Sequence, residues 1–200
     1  MKILLLYTPR CGSNSLCKYF LKQNTNYVYF NQPWSEYQEG EIKPVSYEEC
    51  IGHQNVLIKS KIENLHRLEI SKEKLHSDFD KIIMMSRLNK REQAISFITA
   101  SNLSNFLDST PRKYFIKDID EEYIKQIIDE FSKSDLLFDI YKKDSNTSFY
   151  YENLYYEKSF EDIFNLLNLK YIKDDFDSIL DLKNKYFKEE YDLKKMKTLI

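Results

Sequence analysis

The chain has 200 residues and a formal net charge of −2, enough to bury a proper core as one domain and cramped for two. A near-neutral balance of interspersed charges excludes the basic face of a nucleic-acid or membrane-surface binder. Three cysteines, odd in number and without paired metal spacing, exclude a disulfide framework and point to a reducing compartment, so the expectation is a cytoplasmic, single-domain protein over 1–200.

The chain opens on Lys2-Ile3-Leu4-Leu5-Leu6-Tyr7, a short apolar run that reads as a central strand buried on both faces. It is too short for a signal peptide, and no run reaches membrane-spanning length. Thr8-Pro9-Arg10-Cys11-Gly12-Ser13-Asn14-Ser15-Leu16 follows, a polar turn entering a helix over about 14–23. Gly12 lets the backbone approach a ligand closely, and Ser13, Asn14 and Ser15 supply hydroxyl and amide donors. Unpaired N–H groups and the helix dipole favour an anion there, so the segment is a candidate phosphate or sulfate site. The plain alternative is a serine-capped turn.

Tyr27–Phe30 reads as a second strand, running into the polar aromatic loop 31–37 with the single tryptophan, Trp34. Asn55–Lys59 reads as a third strand and Lys81–Arg87 as a fourth, apolar throughout and central. A helix over roughly 90–105 carries Ala94, Ile95 and Ile98 on one face, and Ile124, Ile127, Ile128 and Phe131 mark another. Ser148–Tyr151 is a short strand before a helix marked by Phe160, Ile163, Phe164 and Leu167, and 174–195 is charged and weakly amphipathic. This alternation predicts an α/β fold: a three-layer, doubly wound, mainly parallel sheet with a P-loop-like strand-loop-helix. Its ligand should lie beyond the carboxyl ends of the strands.

Arg87 closes the fourth strand and Ser96 follows on the helix. A planar guanidinium fork and a hydroxyl can converge on a second phosphate. Taken singly, a solvent-facing arginine and an exposed serine explain them as well.

Three known loops compete for the first segment. A Walker A loop requires an earlier glycine and a lysine, both missing. A low-molecular-weight tyrosine phosphatase requires an arginine six residues after its cysteine, and position 17 is Cys. The sulfotransferase 5′-phosphosulfate loop, approximately Pro-Arg/Lys-Ser-Gly-Ser/Thr-Thr-x-Leu, is the one that Pro9–Leu16 resembles at most positions. The segment Arg87…Gln93-Ala94-Ile95-Ser96…Ala100 is similar to the 3′-phosphate segment of bacterial trehalose 2-sulfotransferase-type enzymes. Tyr151-Glu152-Asn153-Leu154 looks like the family's Tyr-Glu-Asp-Leu. The three segments fall in the family's order.

The resemblance implies transfer of a sulfuryl group from 3′-phosphoadenosine 5′-phosphosulfate (PAPS) to an acceptor hydroxyl or amine, a carbohydrate or other small molecule. Arg10, Gly12, Ser13, Asn14 and Ser15 would hold the phosphosulfate, with Arg10 also catalytic in neutralising the leaving phosphate. Arg87 and Ser96 would grip the 3′-phosphate, Tyr151 would neighbour the adenine, and the chemistry needs no metal. The chain departs from the family at Cys11, Asn14 and Leu88, where serine, threonine and a second arginine are usual. By the same resemblance the acceptor-activating base is Glu36, one residue displaced from the family's glutamate after proline. In place of the Lys-Thr-His of other family members the chain has Lys59-Ser60-Lys61, and His53 precedes the third strand. A catalytically silent nucleotide-binding module of the same fold is the alternative.

Overall fold

The computed structural model describes residues 1–35, 45–102, 119–143, 145, 147–157 and 160–172. Glu36 and the stretch 174–195 lie outside them. Five strands, β1 (Lys2–Tyr7), β2 (Val28–Asn31), β3 (Val56–Lys61), β4 (Lys81–Ser86) and β5 (Thr147–Tyr150), form one sheet in the order β2-β3-β1-β4-β5. Every pairing in it is parallel. Eight helices among the described residues connect and cover the strands: α1 (Ser13–Gln23), α2 (Tyr47–Ile51), α3 (Ile62–His66), α4 (Lys72–Asp78), α5 (Lys90–Asn102), α6 (Glu121–Lys142), α7 (Tyr151–Tyr155) and α8 (Glu161–Leu167). None of the described helices is long and apolar enough to cross a membrane.

β1 is apolar at successive positions because both its faces are covered. Ile3, Leu5 and Tyr7 join Leu16, Tyr19 and Phe20 of α1 and Ile163, Phe164 and Leu167 of α8 in one core. Leu4 and Leu6 join Ile58, Ile82 and Met84 of the neighbouring strands, Ile62 and Leu65 of α3 and Phe138 of α6 in the other. Two helical faces read from the sequence pack on each other: Ala94, Ile95 and Ile98 of α5 against Ile124, Ile127 and Phe131 of α6.

Two expectations change in detail. The helix carrying Ile124–Phe131 extends to Lys142, because Ser134 and Phe138 continue its buried stripe. Tyr151 is not a strand residue but opens α7.

The strand order places the site. The chain leaves β1 toward β2 on one side, while β4 leads toward β5 on the other. β1 and β4 are neighbours, in register from Ile3↔Lys81 to Tyr7↔Met85. Their carboxyl ends are therefore the topological switch point, where diverging loops leave a crevice. Those loops carry Arg10 and Arg87.

Candidate anion site at the switch point

The loop after β1 is pinned from both sides. Thr8 donates its amide to the Met85 carbonyl at 3.0 Å and its hydroxyl to Ser86 Oγ at 3.1 Å. The fully buried Gln93 amide of α5 donates to Thr8 Oγ1 at 3.3 Å and to the Pro9 carbonyl. Held at both ends, the loop turns through two left-handed residues, Arg10 at φ 61° and Gly12 at φ 87°. For Arg10 this is a conformation L-residues rarely adopt, one that persists only where surrounding contacts enforce it.

Gly12 is the N-cap of α1, and no side chain caps the helix. Its first amides therefore have no side-chain cap, the arrangement that favours an anion at a helix start. Ser13 and Ser15 are buried and Asn14 is exposed. Asn14 Oδ1 accepts from Lys59 Nζ. Lys59 is 2% exposed and lies 4.9 Å over the Tyr7 ring. Burial holds the Lys59 ammonium below its ordinary pKa.

Arg10, Ser96, Arg87 and Tyr151 come together. Arg10 Nε donates to Ser96 Oγ at 3.0 Å. The Arg87 guanidinium lies 4.3 Å from the Tyr151 ring centroid, and Tyr151 stacks on Tyr155 at 4.7 Å. Burial first, then the charge of Arg87, pushes the Arg10 guanidinium below its ordinary pKa. Two guanidiniums that repel each other in a desolvated place are costly unless negative charge joins them.

Part of that charge is internal. Arg87, 7% exposed, meets Glu92 Oε2 at 2.5 Å and Glu152 Oε1 at 3.6 Å. Glu152 also accepts from the amides of Leu88 at 2.9 Å and Asn89 at 3.0 Å, and the Tyr156 hydroxyl donates to Glu92 at 2.8 Å. The buried Arg87 Nε is the nitrogen that faces Glu152 at 3.6 Å, too far for a hydrogen bond.

Tyr155 closes the loop from above. Its hydroxyl donates to the Gly12 carbonyl at 2.9 Å, and burial drives its pKa well up. Cys11 is completely buried, and burial pushes the Cys17 thiol up to about 12. Neither environment suits a nucleophilic thiolate. Among the described residues no three His, Cys, Asp or Glu side chains lie together as a metal would require.

Sequence reasoning missed Lys59, Glu92 and Tyr155 around these residues, and gave Gln93 and Glu152 only as motif positions without a contact. Lys59 had a local signal, a lysine interrupting the apolar run Val56–Ile58. Tyr155 had none, since its partner Gly12 is 143 residues away.

Neither a family model nor any curated protein matches this sequence. Among solved structures, the chain is similar to mouse sulfotransferase SULT7A1, crystallised with PAP, the 3′,5′-bisphosphate of adenosine. The TM-score is 0.53 at 14% identity, covering 94% of this chain. The chain spans 64% of that enzyme's length. The likeness establishes a shared fold, the sulfotransferase α/β fold.

Proposed function

We propose that the chain is a PAPS-dependent sulfotransferase, transferring a sulfuryl group to an acceptor hydroxyl or amine. Trehalose 2-sulfotransferase-type enzymes are the subtype its motifs most resemble, and a carbohydrate is one acceptor class. The observation that carries this is the convergence of Arg10, Ser96 and Arg87 at the switch point, beside an uncapped helix N-terminus.

The residues fit a bisphosphate donor. Two desolvated guanidiniums, one of them with its Nε facing Glu152 at 3.6 Å without a hydrogen bond, suit a further anion. Arg87 and Ser96 would hold the 3′-phosphate. The Gly12–Ser15 turn and the amides of α1 would hold the 5′-phosphosulfate, with Tyr151 beside the base. Arg10, bonded to Ser96 from its place in the loop, would span the two groups. When bound, the donor supplies a sulfuryl group on a phosphate leaving group. Positive charge from Arg10 and Lys59 would stabilise the negative charge that grows on that phosphate, the kind of electrostatic preorganisation that dominates such transfers.

A silent nucleotide-binding module is the second reading. It is favoured by Glu92 and Glu152 on Arg87, which already neutralise that cation. Incubation with sulfur-labelled PAPS and a panel of sugars, phenols and amines separates the two. The enzyme reading expects label on at least one acceptor together with release of PAP. Tight binding of PAP with no labelled product across the panel would favour the silent module.

A further inference from the structure

On the reading just proposed, we infer that Glu92 determines nucleotide preference: its carboxylate competes with the 3′-phosphate for Arg87 and is exchanged for it on binding. Glu92 lies in the first turn of α5, where its amide donates to Asn89 Oδ1 at 3.0 Å. Its Oε2 meets Arg87 Nη2 at 2.5 Å. Ser96, four residues on, stands one turn away on the same face of the helix. Ser96 accepts from Arg10 Nε at 3.0 Å. One face of α5 thus holds both guanidiniums, and Glu92 borders the place given to the 3′-phosphate.

The two carboxylates around Arg87 are held differently. Glu152 accepts from the backbone amides of Leu88 at 2.9 Å and Asn89 at 3.0 Å, while Arg87 Nε stays 3.6 Å away. It ties down the loop after β4 whatever anion Arg87 holds. Glu92 has the reverse pattern. Among the described residues its carboxylate is held by Arg87 and by the Tyr156 hydroxyl at 2.8 Å, neither of them backbone. Tyr156 is 45% exposed, so this carboxylate sits at the rim of the site. A change of rotamer takes it off Arg87 without disturbing α5 or the loop. Glu92 is therefore the exchangeable partner and Glu152 the fixed one.

The exchange replaces a single carboxylate charge by a phosphate carrying more charge and three acceptor oxygens. A nucleotide with a 3′-phosphate gains Arg87 only by breaking the Glu92 pair. A nucleotide without one leaves the pair in place. Glu92 therefore lowers the affinity for PAP and PAPS but not for adenosine 5′-phosphate. In return it keeps a desolvated guanidinium compensated when no nucleotide is bound.

The test is calorimetry with PAP and with adenosine 5′-phosphate on wild type, Glu92→Gln and Glu152→Gln, with thermal melts alongside. Removing the charge-assisted contact that occupies the guanidinium should tighten PAP binding roughly 10- to 100-fold in Glu92→Gln. Adenosine 5′-phosphate should stay within about twofold. Glu152→Gln removes the same charge from beside the same arginine and should bind PAP no more tightly than wild type. It should also melt lower, because the loop amides lose their carboxylate. A crystal of the wild-type complex should show a phosphate oxygen on Arg87 and Glu92 moved beyond about 4 Å. Unchanged or weaker PAP binding in Glu92→Gln, an equal gain for adenosine 5′-phosphate, or an equal gain in Glu152→Gln would each overturn the exchange while leaving the nucleotide site standing. So would an Arg87–Glu92 contact intact beside bound PAP. Binding of PAP by none of the three proteins would overturn the exchange together with the reading on which it rests.

Discussion

Arg87→Ala is expected to weaken PAP binding roughly 30- to 150-fold, about 2–3 kcal/mol, while changing the affinity for adenosine 5′-phosphate by less than about threefold. The effect is electrostatic. A desolvated guanidinium holding a phosphate contributes far more than a surface pair, because water does not screen it. Arg87 is 7% exposed, so it meets that condition. Removing it also strands Glu92 and Glu152, which now meet its guanidinium. The triple change Arg87→Ala with Glu92→Gln and Glu152→Gln controls for that repulsion. If the triple variant regains PAP affinity, the loss came from stranded carboxylates; if it stays weak, the contact was to the phosphate. Calorimetry on the three proteins reads the difference.

Gly12→Ala should destabilise the protein by about 2–4 kcal/mol, lowering Tm by roughly 5–15 °C for a chain of this size. Two costs combine. At φ 87° an L side chain is strained, worth about 1–2 kcal/mol. A Cβ there would lie 2.4 Å from Tyr155 Cε2, and overpacking costs about 1–3 kcal/mol. The ring cannot swing away cheaply, because its hydroxyl is bonded to the Gly12 carbonyl and it packs edge-on to Phe160, with centroids 5.5 Å apart. Thermal melts of Gly12→Ala, Tyr155→Ala and the double variant separate the two terms. The double variant should lose only the backbone part beyond Tyr155→Ala. A Gly12→Ala protein melting with wild type would mean the loop is not held as described.

The parts of the fold that could be read from the sequence were local. Ile3–Tyr7 and Ile82–Met85 show themselves as central strands because burial on both faces leaves no charged position. The stripes on α5 and α6 show the helical period, and their mutual packing follows from each needing a cover. That Arg10 and Gly12 lie in the turn after β1 and Arg87 at the end of β4 was legible, because turn chemistry and an apolar lead-in mark a strand end. What stayed hidden depends on pairs far apart in the chain. Nothing near Gly12 announces the Tyr155 ring above it, and nothing near Arg87 announces Glu152. Local pattern reports which face of an element is buried. It does not report which polar atom ends up without a partner.

The central claim is that the switch point recognises a nucleotide by its 3′-phosphate. Titration calorimetry of the wild-type chain with PAP and with adenosine 5′-phosphate, at one ionic strength, tests it most directly. The account predicts PAP binding at least about 30-fold tighter, the equivalent of one desolvated charged contact of about 2 kcal/mol. Equal affinities for the two nucleotides, or no binding of PAP, would contradict it.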